Sequence, residues 1–177
     1  MKKAGVWTIL LAVILAGCAV TQVTRPGIED SAIISAPLDK VWGAIIATIG
    51  DRALPFESVE KESGLITTKF VIFTSGMVTD EQIDRIAVKP SGLLNVWSQG
   101  RYTLNIFAMP SGEGATKVKI TTHIEAYERN VSNSWHICYS HGVLEQELLY
   151  AIRSKVTGVT IETKPANSVV QPGKIGI

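Results

Sequence analysis

His136, Cys138 and His141, in the run Trp-His-Ile-Cys-Tyr-Ser-His, are the side chains most able to hold a metal or act as a nucleophile. A zinc site wants four ligands, or three with an open position. His123 is available as a further imidazole, but its strand pattern turns it toward water. No Cys-x-x-Cys pair or His-Glu-x-x-His accompanies these residues. Ser140 and His141 suggest part of a hydrolytic triad, yet no Gly-x-Ser-x-Gly turn presents the serine. Glu145 and Glu147 stand two apart on a helix-forming run, so their carboxylates diverge. The bland account is stronger: this run is a loop leading into the last helix, with Cys138 packed as a small apolar residue. No catalytic residue, metal or cofactor is expected, and the chain is expected not to be an enzyme.

Cys18, the other of the two cysteines, has a different setting. Lys2 and Lys3 precede a mostly apolar run from Val6 to Leu15, followed by Ala16, Gly17 and Cys18. A spanning helix needs about twenty apolar residues, so this run is too short to cross a bilayer. Positive start, short apolar stretch and small residues are the parts of a secretory signal. The sequence Leu15-Ala16-Gly17-Cys18 resembles a bacterial lipobox. That resemblance implies a diacylglyceryl group on the Cys18 sulfur, cleavage just before it, and acylation of the new amine. Two or three acyl chains hold far more firmly than one. Ala19, rather than an aspartate, follows the cysteine; by the same resemblance the address is the outer membrane, with the domain facing the periplasm.

Four segments result: a signal peptide at 1–17, a lipidated tether at 18–31, one domain at 32–158 and a polar, Pro- and Gly-containing tail at 159–177. The tether reaches about 40 Å when fully extended. With 17 basic and 16 acidic residues overall, no positive excess points to nucleic acid. Lipidation of Cys18 would leave Cys138 without an intramolecular partner, so the domain must stand on its apolar core.

The element order positions everything else. A short strand over Ala32–Ser35 leads to Pro37 and a helix whose Leu38, Val41, Trp42, Ile45, Ile46 and Ile49 share one face. Extended runs at Phe56–Lys61 and Gly64–Phe73 flank a turn. Thr79-Asp80-Glu81-Gln82 resembles a capping box for a short helix with Ile83 and Ile86 inward. Arg101–Met109 and Thr116–Glu128 flank Pro-Ser-Gly-Glu-Gly as a hairpin, with Val118, Ile120, Thr122, Ile124 and Ala126 on its core side. Ser140 is expected to cap a last helix reaching about Val156. The fold class is α+β: an antiparallel sheet with two helices packed on one face.

The stretch Ile-Ser-Ala-Pro-Leu-Asp-Lys-Val-Trp, with Val41-Trp42 in the helix, resembles the opening of helix-grip domains of the START and polyketide-cyclase superfamily. Together with Lys61-Glu62-Ser63-Gly64-Leu65-Ile66-Thr67, it is similar to the repeated domains of BamC-type accessory lipoproteins of outer-membrane assembly. Those carry two such domains, whereas this chain has room for one; the resemblance implies fold and location, not partner identity. Leu93, Leu94, Val96 and Trp97 in one loop, and Tyr127, Trp135 and Tyr139 around another, form the candidate partner-binding surface. The expected role is a non-enzymatic binding or accessory module for envelope proteins. The alternative is a carrier or sensor of an apolar small molecule or lipid in a START-like cavity.

Overall fold

A computed structural model of the chain describes residues 28–158. The expected signal peptide, Cys18, most of the expected tether and the expected tail lie outside the described residues. β1 (Ser31–Ile34) leads through Pro37, held extended at φ −60° and ψ 151°, into α1 (Leu38–Asp51). The spacing of Val41, Trp42, Ile45 and Ile49 buries one face of that helix. β2 (Phe56–Glu60) and β3 (Leu65–Thr68) form a hairpin closed at Gly64. Gly64 has φ +71°, and a Cβ there would meet the Ala108 carbonyl oxygen, so only glycine fits this turn.

The centre of the sheet is the long hairpin of β6 (Trp97–Pro110) and β7 (Thr116–Glu128), in register from Gln99–Tyr127 to Pro110–Thr116, with a shift between Trp97 and Gln99 that sets Trp97 opposite Glu128. β4 (Val71–Ser75) precedes α2 (Thr79–Ile86) and β5 (Ala87–Val88). β8 (Ser134–Ser140) follows β7 and precedes α3 (Val143–Thr157). Short strands share each flank of the long hairpin. β3 pairs with β6 at Asn105–Phe107 and β4 pairs with it at Gln99–Tyr102. β1 and β8 divide β7 in the same manner, and every pairing is antiparallel.

The fold is the expected α+β arrangement, with several elements relocated. The run Gly64–Phe73, expected as one strand, is two. Thr67 faces Asn105 but Val71 faces Tyr102, one residue out of continuous register, and the slip falls at Lys69-Phe70. The expected loop before the last helix contains a strand, β8. Ser140 ends that strand and does not cap α3; Gly142, at φ 85°, stands at the cap. The Ser140 hydroxyl instead accepts the Gly142 N–H and donates to Glu145. Thr79 turns its hydroxyl inward to the Ser98 carbonyl, so α2 starts without a capping box.

Glu145 closes the gap between β1 and β8. There the Thr122 N–H has no neighbouring strand, and it donates to Glu145 Oε1 at 3.2 Å while Ser140 donates to Oε2 at 2.9 Å. A buried carboxylate thus ties the first turn of α3 to the sheet. Ile45, Ile49, Leu104, Ile106, Ile120, Leu148 and Ile152 fill the space between the sheet and the two long helices. A second cluster places Ile83 and Ile86 of α2 on Ile124, Ala126 and Cys138. Ile120, Ile124 and Ala126 lie on one side of β7, so all three helices share one face of the sheet. Each such Leu or Ile contributes about 1.5–3 kcal/mol on burial. Among the described residues no helix is long and apolar enough to cross a membrane.

Candidate interaction surfaces

The inward alternation of β7 runs Ile120, Thr122, Ile124, Ala126 and then Glu128, a carboxylate only 1% exposed. A charge so placed requires partners, and the backbone supplies them. Glu128 accepts N–H groups from Val96 (3.1 Å), Asn130 (2.6 Å), Val131 (2.8 Å) and Ser132 (2.6 Å), and the Ser132 hydroxyl at 3.0 Å. Burial pushes the carboxyl pKa up, but the donors of Ser132, Val96, Asn130 and Val131 outweigh it and hold the group at about 2. The result is a clasp between the 89–96 segment and the turn at 129–133. Arg129 N–H to the Val96 carbonyl, and the Asn130 side-chain amide to the Leu94 carbonyl, complete it.

With the polar backbone turned inward on Glu128, apolar side chains point out. Leu93 is 104% exposed, Leu94 70% and Val131 63%. The turn between β4 and α2 reaches the same end of the sheet, because Gly76 N–H bonds the Ser98 carbonyl at 3.0 Å. It adds Met77, 101% exposed, and Val78. Three segments therefore form one aliphatic tip.

The face of the sheet away from the helices is a second surface. Arg101 and Glu125 are register partners, joined by contacts of 2.7 Å from Nε and 2.6 Å from Nη2 to one carboxylate oxygen. The Arg101 guanidinium lies 4.1 Å from the Phe70 ring centroid and 3.9 Å from that of Trp135. His123 lies 2.9 Å from the other Glu125 oxygen. Burial raises the Glu125 pKa, but hydrogen bonds from His123 and Arg101 prevail and lower it. Tyr127 meets Trp135 edge-on at 5.3 Å. Ile72, Ile137 and Tyr139 extend this face and are exposed.

No protein-family model matches the chain, and no curated protein does. The surfaces themselves carry the functional reading. Of the residues expected to form a partner surface, Leu93 and Leu94 stand at the tip beside the partly exposed Val96, while Tyr127, Trp135 and Tyr139 lie on the sheet face. Trp97 is a correction. It is the first residue of β6, 8% exposed, packed in the cluster with Ile83 and Ile86 and edge-on to His136 at 5.6 Å. A core position, not a surface, explains it.

The His136, Cys138 and His141 run does not converge. The His136 ring bonds the hydroxyls of Ser132 and Ser134, and Cys138 is buried, its thiol pushed up to about 11 mainly by that burial. His141 lines an open groove of ≈ 640 Å³ with Asp80, Asp84 and Lys89. Lys89 pairs with both aspartates there. Burial acts to lower its pKa, but the two carboxylates raise it overall. Among the described residues no three metal-ligating groups come together.

Sequence reasoning missed Glu128, Arg101, Phe70, Ile72 and Ile137. For Glu128 a signal existed: a charge occupying the next inward position of an apolar alternation. Arg101 and Glu125 needed the hairpin register, and Phe70 needed the slip, neither of which local pattern reveals.

Proposed function

We propose that this protein is a non-enzymatic lipoprotein, held in the outer membrane by acyl chains on Cys18, whose helix-grip-like domain binds another envelope protein. The observation that carries the binding role is the sheet face that no described element covers, where Phe70 and Trp135 flank Arg101 and Ile72, Ile137 and Tyr139 are exposed. Aromatic residues and arginine dominate binding energy at protein interfaces. The signal-like N-terminus supports the address, as does the similarity to BamC-type lipoproteins. Packing between the sheet and α3 weighs against a carrier role, since Leu104, Ile106, Ile120, Leu148 and Ile152 are at most 1% exposed and fill the place a ligand would need.

The test is crosslinking and affinity capture of the full chain from native membranes, beside an Ile137→Asp, Tyr139→Ser double variant. A discrete protein recovered with the parent chain and lost with the variant is expected. Equal recovery from both, or none from either, would overturn the assignment of this face.

A further inference from the structure

We propose that the aliphatic tip formed by Met77, Val78, Leu93, Leu94 and Val131 inserts into the lipid–water interface of the membrane that holds the anchor. The inference rests on the lipid-anchored reading above.

Four observations converge on a lipid surface. The side chains are aliphatic and exposed, from 52% at Val78 to 104% at Leu93, and they come from three segments of the chain. The aromatic rings, with Arg101 stacked among them, are the usual anchors of protein contacts and sit on the sheet face instead. Entry into a bilayer requires that backbone polar groups be satisfied internally. Here Glu128 takes the N–H groups of Val96, Asn130, Val131 and Ser132, while Arg129 and Asn130 satisfy the carbonyls of Val96 and Leu94. Of the charges near the tip, Lys89 pairs with Asp80 and Asp84, and Arg85 with Glu81, while Arg129 is exposed.

The tether fits this placement. The Asp30 carbonyl accepts the Ile120 N–H at 2.8 Å, which fixes where the chain joins the sheet. From Ile120 to Glu128 the strand covers about 26 Å. From Cys18 to Asp30 the extended chain spans about 40 Å, so an anchored chain reaches the bilayer with its tip touching it. Docked in this way, the sheet stands on end and its aromatic face stays open to a protein partner.

The full lipidated chain is reconstituted into protein-free vesicles of phosphatidylethanolamine and phosphatidylglycerol. An environment-sensitive fluorophore is attached at Leu93→Cys, at Met77→Cys, or at Thr121→Cys on the mid-sheet surface; buried Cys138 is shielded from the reagent. A several-fold rise in emission at positions 93 and 77, quenched by nitroxide lipids and absent at 121, is expected. Water-like emission at 93 and 77 would overturn the proposal. Emission that changes only when envelope proteins are added would overturn it in favour of a protein contact. The first-peptide mass separates the two readings. If Cys18 carries no lipid, the anchor reading fails, and a Cys18→Ser chain labelled at the same positions and mixed with vesicles still decides the tip: quenching supports insertion and its absence refutes it.

Discussion

Val96 donates its backbone N–H to the Glu128 carboxylate at 3.1 Å, across 32 residues of sequence. That contact turns a buried charge into the fastening of two loops, and it gives the apolar tip its shape. Glu128→Gln keeps the volume but removes the charge that attracts four N–H donors. Faster hydrogen exchange at Val96, Asn130, Val131 and Ser132 is expected, with little change at Ile106. Unchanged exchange at those four amides would show that the loops hold without the clasp.

The same group sets a pH dependence. Its pKa falls from 4.5 to about 2 on folding. The stabilisation is therefore complete above the unfolded value and is lost as pH drops from there toward 2. Urea midpoints of the parent chain should fall across that window, while those of Glu128→Gln fall less and the two curves approach each other near its lower end. Parallel curves would contradict the assignment.

Arg101 is sandwiched between Phe70 and Trp135 and bonded to Glu125. Lysine cannot reproduce a planar stack and a two-nitrogen contact together. Arg101→Lys should destabilise the domain by about 1 kcal/mol, with a red shift in Trp135 emission as its ring becomes wetter. No spectral change would mean that the stack does not order this face.

Ile152 of α3 is fully buried in the space where an apolar ligand would sit. Ile152→Ala should lower stability by about 2–5 kcal/mol, as large-to-small core changes do. A near-neutral result would reveal spare room there and revive the carrier reading.

Cys138 is 4% exposed, and its thiol is pushed up to about 11, chiefly by burial. Thiolate is the reactive form. Peptide-mapped alkylation at neutral pH should leave Cys138 unmodified in the folded chain and label it fully in denaturant. Rapid labelling in the native state would require an open path to this strand.

Much of the fold was legible because two periodicities carry it. The spacing of Val41, Ile45 and Ile49 marks α1, and the alternation from Val118 to Ala126 marks β7 with its core side. β8 was hidden because His136 and Cys138 face inward while Trp135, Ile137 and Tyr139 face outward, so neither side reads as plainly polar or apolar. The break at Lys69-Phe70 reflects two short strands sharing one long partner, which only tertiary pairing decides. Trp97 looked like a surface anchor because it shares a stretch containing Pro90, Gly92 and Gly100 with the apolar Leu93, Leu94 and Val96; the start of β6 turns it inward. The sheet face was read only through its aromatic residues, since Arg101 meets Glu125 by register rather than proximity in sequence.

The address, the reach of the tether and the access of the tip to a bilayer all depend on Cys18. The most direct measurement is the mass of the first peptide of the protein isolated from its native membrane. A peptide beginning at Cys18 and heavier by a diacylglyceryl group and one further acyl chain is expected. A peptide beginning elsewhere, or one of unmodified mass, would contradict the lipid-anchored account.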